Sequence, residues 1–257
     1  MKKLLIPFLA ILLFSCSDDD ETQGSGGVRA TDCRILKSVS YYNNDTINRS
    51  EINFFYSGDL LTKTTRGNRY NLYDSTFFVY NKDNKQSFNL EFNPSTGRLD
   101  TSEIFEYDQT GNLVKLSLFY YNMLELEYTF IYSNNLLTEL KLLDDNLEIQ
   151  RVELQSDSEG NILKYWALDS LGKRIPGERG EFEYDNNRNP YQNIYSEETG
   201  IVEMLASNNV TRSTFYDSDQ LDFSSSTSYT YDRFGLPITS LTTYSDGDVM
   251  KVNYSYE

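Results

Sequence analysis

Thirty-nine carboxylates and not one imidazole bound the chemistry this chain can carry. Without His there is no Ser–His–Asp or Cys–His nucleophile pair and no imidazole metal site. Carboxylate chemistry remains, because two such groups roughly 5–10 Å apart can hydrolyse a glycoside. With so many acidic residues some pair reaches that spacing by chance, and no motif marks one out. Asp217-Ser218-Asp219 and Asp246-Gly247-Asp248 offer the oxygen donors that Ca²⁺ takes. Neither completes a twelve-residue binding loop, so both read as turns. No glycine-rich loop follows a strand to cradle phosphate. No catalytic, cofactor-binding or metal-ligating residue is therefore assigned.

Binding is the other chemistry available. The chain holds 21 Tyr and 15 Phe but a single Trp. Tyr41-Tyr42, Tyr120-Tyr121 and Tyr165-Trp166 are adjacent aromatics. On a strand, neighbours point to opposite faces, which leaves one ring of each pair free for contact. Tyr165 and Trp166 are the candidate contact residues for a sugar or a protein surface. The alternative is a curved sheet that buries something on both faces.

The elements that must carry these residues are strands. From Arg34 onward one phrase returns: an alternating strand ending in an aromatic, a polar turn, then an aliphatic residue opening the next strand. Copies are Tyr56–Leu60, Phe92–Leu99, Tyr107–Leu113, Tyr132–Leu136, Leu154–Ile162 and Tyr231–Leu236, while Tyr184–Pro190 is a variant that leads elsewhere. Gly and Asn tolerate the positive φ of tight hairpins, and Asp and Ser bond the turn's own backbone. Leu124, Leu126, Tyr128, Phe130 and Tyr132 share one face of a period-two pattern, with Glu125, Glu127 and Thr129 on the other. Phe182 and Tyr184, then Val252, Tyr254 and Tyr256, repeat it. No helical crossovers separate the strands, so the prediction is an all-β, single-domain antiparallel meander over 34–257. A break between Asn189 and Ser228 contains the one predicted helix, Glu197 to Ala206, with Ile201, Met204 and Leu205 on one face.

Ahead of the domain, residues 1–15 read as a lipoprotein signal peptide. Lys2 and Lys3 precede a short apolar core from Leu4 to Phe14, and Ser15 precedes Cys16. Leu13-Phe14-Ser15-Cys16 resembles the bacterial lipobox, which implies lipidation of Cys16. Residues 16–33 then form a flexible acidic and Gly-rich leash. Ser17-Asp18-Asp19-Asp20-Glu21 resembles the acidic export tag of Bacteroidota surface lipoproteins, implying the outer face of the outer membrane. Losing the signal moves the net charge from −16 to about −18, which disfavours nucleic acid. Cys33 is left as a lone, quiet thiol, and no disulfide framework exists.

The Tyr-Asp-x-x-Gly-x-Leu phrase is similar to the YD repeats of large shell-forming proteins. A closer resemblance, over roughly Ile35 to Tyr256, is to a family of Bacteroides-type surface lipoproteins with a porin-like fold. It rests on Asn189-Pro190-Tyr191, Ser207-Asn208-Asn209-Val210-Thr211 and Tyr229–Pro237. The resemblance implies a strongly curved antiparallel sheet or partial barrel in a soluble domain and carries over no functional residue. Asp45-Thr46-Ile47, Asp74-Ser75-Thr76 and Asp169-Ser170-Leu171 resemble the short O-glycosylation acceptor of such bacteria, and read equally as Asp-Ser and Asp-Thr turns.

The expected function is a surface-tethered, non-enzymatic binding or scaffold module for a glycan or an envelope protein. Its membrane contact is the lipid anchor alone, and no cofactor is expected. A carboxylate-dependent glycan hydrolase is one alternative. A membrane-embedded β-barrel is another, disfavoured by a Tyr-rich apolar face, the terminal Glu257 and the redundancy of an anchor.

Overall fold

The structure, a computed structural model, describes residues 34–43, 45, 49–68, 70–192, 194 and 200–256. The signal peptide, Cys16, the leash and Cys33 lie outside the described residues, as do Thr46 and Ile47.

Among the described residues, sixteen strands follow one another. They are β1 (Ile35–Tyr42), β2 (Ser50–Ser57), β3 (Leu60–Gly67), β4 (Leu72–Tyr80), β5 (Gln86–Asn93), β6 (Arg98–Tyr107), β7 (Leu113–Tyr120) and β8 (Met123–Ser133). The second half runs β9 (Leu136–Asp144), β10 (Leu147–Ser156), β11 (Ile162–Leu168), β12 (Arg174–Arg188), β13 (Asn208–Asp217), β14 (Gln220–Tyr231), β15 (Pro237–Tyr244) and β16 (Val249–Tyr256). Each pairs antiparallel with its neighbours in sequence, and β1 pairs with β16, so the sheet closes. The predicted meander is present, and it completes the circle. A helix, α1 (Gly200–Leu205), interrupts it, shorter than the predicted Glu197–Ala206, of which 197–199 are not described.

Every predicted turn phrase lies at a hairpin. Five of the six fall at one end of the barrel, where β1 begins and β16 ends, here called proximal; Phe92–Leu99 is distal. At the proximal end an Asp or Asn accepts from backbone amides two and four residues on. Asp108 does so from Thr110 and Asn112, Asp157 from Glu159 and Asn161, and Asp232 from Phe234 and Leu236. Asn81 plays the same part for Asp83 and Lys85. The carboxylate satisfies donors that the reversing chain strands.

A register shift precedes each proximal aromatic at Tyr56, Tyr80, Tyr107, Tyr132, Tyr184 and Tyr231. An extra residue on one strand bends and twists the pair, which helps a sheet close. The hydroxyls of Tyr80, Tyr184 and Tyr256 then donate to the carbonyls of Leu61, Ile162 and Pro237, residues at the start of neighbouring strands. These bonds tie the proximal stretch of one strand to the start of its neighbour. Burial holds Tyr80, Tyr107 and Tyr132 up at about 12.

The barrel wall is inverted relative to a porin. Phe54, Phe105, Leu116, Phe130, Phe182, Val252 and Tyr254 are buried and fill the interior. Alternate positions carry ion pairs between strands: Lys115 with Glu127 at 2.5 Å, Arg151 with Glu139 at 2.8 Å and Lys164 with Glu181 at 3.0 Å. Surface pairs of this kind add little stability, but they decide what the wall can face. Each charged side chain set against hydrocarbon costs about 2–4 kcal/mol near the bilayer midplane, and an outer-membrane barrel carries its apolar band outside. This wall suits water.

Sixteen-stranded porin barrels leave an aqueous channel. Here the interior is occupied by two apolar clusters. One gathers β1–β4 and β16, and the other gathers strands from β6 to β13. The chain between β12 and β13 contributes to both, with Tyr191 in the first and Ile201 and Met204 in the second.

Candidate functional site

Two places combine exposure or burial with chemistry: the distal rim, and the seat of α1 inside the barrel.

At the rim, turns between consecutive strands present side chains that a soluble surface normally withdraws. Most exposed large hydrophobics among the described residues lie at distal turns, including Tyr70 (67%), Tyr120 (59%), Met123 (66%), Leu147 (70%) and Leu171 (79%). Phe55, Ile131, Leu136 and Leu241 lie elsewhere. The predicted pair Tyr120-Tyr121 is not split across two strand faces. Tyr121 has φ 50°, in the β7–β8 turn, so both rings are exposed and their centroids lie 4.2 Å apart. Arg98 lies 5.1 Å over the Tyr121 ring and pairs with Asp100 at 3.0 Å. Asn122 donates to Asp100 and accepts from the Thr101 amide at 2.9 Å, tying this turn to β6. The result is two rings, a guanidinium and an amide held on one patch. Tyr42, also at this rim, donates to Asp248, while Tyr41 packs against the first interior cluster.

The other candidate aromatics behave differently. Tyr165 points inward, with its ring 6.3 Å from those of Phe182 and Phe215. A Cβ at Gly180 would fall 2.3 Å from Tyr165, so Gly there makes room for the ring. Trp166 faces outward beneath Arg174, whose guanidinium lies 3.7 Å from the ring centroid and is forked onto Glu153 by two bonds of 2.8 Å. The structure does not bring Tyr165 and Trp166 to one surface.

The candidate turns have local explanations. Ser218 and Asp219 both have positive φ, and Asp219 pairs with Arg179 at 2.6 Å. Asp246 accepts from the Asp248 amide at 3.0 Å. Asp74 and Ser75 are buried in β4, and Asp169 caps its own turn.

Sequence reasoning missed the second place. The chain leaves β12 at Asn189, whose amide nitrogen donates to the carbonyls of Glu203 at 2.7 Å and Ala206 at 3.0 Å. Its Oδ1 accepts from the Tyr191 amide at 2.9 Å. On the return, Asn161 of the β10–β11 turn accepts from the amides of Ser207 at 2.8 Å and Asn208 at 3.1 Å. Two of the three motifs behind the family resemblance, Asn189–Tyr191 and Ser207–Thr211, are thus the clasps on either side of α1. Tyr191 reaches Phe54 of β2, ring centroids 6.5 Å apart, from the far side of the barrel.

Between the clasps lies a cavity of about 10 Å³ lined by Asn189, Tyr191, Glu203, Asn209, Val210, Tyr229 and Tyr254. That is room for roughly one water. Glu203 as a residue is half-buried, but its Oε2 is enclosed and has no hydrogen-bond partner among the described residues, and neither has the Tyr191 hydroxyl. Loss of water pushes the Glu203 carboxyl up to about 8, so it is neutral at physiological pH. A raised carboxyl resembles a general acid, but no sugar ring fits a cavity of this size. The signal available in the sequence was a Glu set among apolar neighbours in a short helix.

Compared with known proteins, the chain matches no family model and no curated sequence. Among solved structures it is similar to a porin-like protein from Bacteroides uniformis, at 13% identity and TM-score 0.48, covering 87% of this chain and 98% of that one. A Photorhabdus luminescens Tc holotoxin pore gives 11% identity and TM-score 0.36, with 81% of this chain and 9% of that one covered. A putative outer membrane lipoprotein-sorting protein domain from Vibrio parahaemolyticus gives 10% identity and TM-score 0.24, covering 87% and 82%.

Proposed function

We propose that this chain is a non-enzymatic docking module of the cell envelope, tethered through Cys16 at one end and engaging another envelope protein with the other. The observation that carries this reading is the collection of exposed apolar side chains on the distal rim, opposite the end where Arg34 enters. Exposed apolar side chains gathered at one end of a barrel with a charged wall mark a partner surface. Its Tyr, Met and Arg content matches the residue types enriched at interfaces. Arg34 lies at the end opposite that rim, so a tether through Cys16 would join the domain at the end away from the partner.

Site-specific photocrosslinking in intact cells tests it. A crosslinker at Met123 or Leu171 is expected to give discrete protein adducts, whereas one at Thr129 on the charged wall is expected to give none. Equal labelling from rim and wall would defeat the reading.

The Tyr120-Tyr121-Asn122 patch with Arg98 and Asp100 favours a second reading, a glycan partner, because aromatic faces beside hydrogen-bonding groups suit sugars. Retention of the domain on a polysaccharide panel, abolished by Tyr120→Ala with Tyr121→Ala, would support it. New reducing ends in the same assay would instead support the hydrolase.

A further inference from the structure

We propose that the seat of helix α1 inside the barrel is proton-operated, with a neutral Glu203 carboxyl permitting the seated helix and its ionisation releasing it.

The argument is one of surroundings. Glu203 reaches into a wall made by its own insert (Asn189, Tyr191), by β13 (Asn209, Val210), by β14 (Tyr229) and by β16 (Tyr254). Among the described residues no Lys or Arg lines this cavity, so nothing there compensates a carboxylate. The other acidic group acting on Tyr229 and Tyr254 is Asp185 of β12. Tyr231 and Asn209 already donate to Asp185, so it offers Glu203 no relief. Tyr184, Tyr244, Tyr229 and Tyr254 also feel Glu203, and burial keeps all of them neutral well beyond the range in which Glu203 titrates. A proton leaving Glu203 thus creates an unpaired charge in an enclosed cavity lined by neutral amides and phenols. The cost is relieved by moving the carboxylate to water.

The helix can move without dismantling the barrel. It carries no strand pairing, and β12 continues into β13 through their own ladder from Arg179–Tyr216 to Tyr184–Val210. What holds α1 is Ile201 and Met204 in the second cluster, plus the clasps at Asn189 and Asn161. A six-residue helix is not stable alone and depends on that seat. Seated and unseated arrangements are therefore two states of one element, biased by one proton.

Hydrogen exchange on the full domain at pH 6 and pH 9, corrected for intrinsic exchange, reads the seat directly. The amides of Asn189, Ala206 and Ser207 bond Ser207, Val202 and Asn161 and report on it. Amides of β7 and β8 report on the wall. In the native chain, insert protection is expected to fall about a hundredfold between pH 6 and pH 9, most of it below the carboxyl's midpoint near 8, because unseating releases one proton across that window. In Glu203→Gln it is expected to change less than about twofold, with wall amides unchanged in both proteins. If the Gln amide prevents folding, Glu203→Met provides the same neutral comparison. Equal loss in native and variant, loss in neither, or parallel loss in the wall would each overturn the proposal.

Discussion

The hydroxyl of Tyr184 on β12 donates to the carbonyl of Ile162, the residue that opens β11, at 2.8 Å. Tyr80 on β4 makes the same kind of bond to Leu61 near the start of β3. Removing the hydroxyl leaves a carbonyl short of its partner in a half-buried belt. Tyr184→Phe is expected to cost about 1 kcal/mol. Urea denaturation should show a lowered midpoint with an unchanged slope, because packing and exposed surface are retained.

Three proximal turns, at Asp108, Asp157 and Asp232, are capped by a carboxylate. Asp108 is held down at about 2 by its bond to Thr110 and by the Asn112 and Gly111 amides. An acid whose folded value is depressed contributes above its unfolded value, near 3.8, and loses that contribution as pH falls through about 2. Asp108→Asn, which copies Asn81, should fold normally and lack this acid sensitivity at the turn. NMR titration of the Gly111 amide checks it.

Glu203 has the opposite sign. Its folded value lies above the unfolded 4.5, so its stabilising contribution is complete below about 4.5 and lost as pH rises through about 8. The melting temperature of Glu203→Gln minus that of the native chain is expected to grow across this window and level off above it. A flat difference would mean the carboxyl is not buried in solution.

Trp166 is the sole indole and lies under Arg174. Arg174→Ala is expected to red-shift its emission and raise its quenching by iodide, since the guanidinium shields one face of the ring. Unchanged quenching would mean that this cover is not kept in solution.

Replacing Cys16 by Ala is expected to move the protein from the membrane fraction to the soluble one, since lipid would be its only hold. Retention in the membrane would contradict both the anchor and a water-facing wall.

Much of this fold was legible one strand at a time. Period-two alternation in Leu126, Tyr128 and Phe130 against Glu125, Glu127 and Thr129 sets which face turns inward, because adjacent side chains on a strand oppose each other. Asn134-Asn135 and Ser57-Gly58 announce hairpins because few residues accept positive φ. The absence of His likewise removed whole classes of chemistry before any coordinate. Closure was a different matter. Whether β1 meets β16 depends on twist summed over all strands and on the bulges at Tyr56, Tyr107 and Tyr231, which no single hairpin encodes. The Glu203 site arises only because an insert after β12 returns to the lumen and sets a carboxyl beside tyrosines from β14 and β16. The distal rim, too, exists only once alternate turns gather at one end. Local sequence determined strands, turns and faces; long-range closure decided what was buried, what was left exposed, and which proton has nowhere to go.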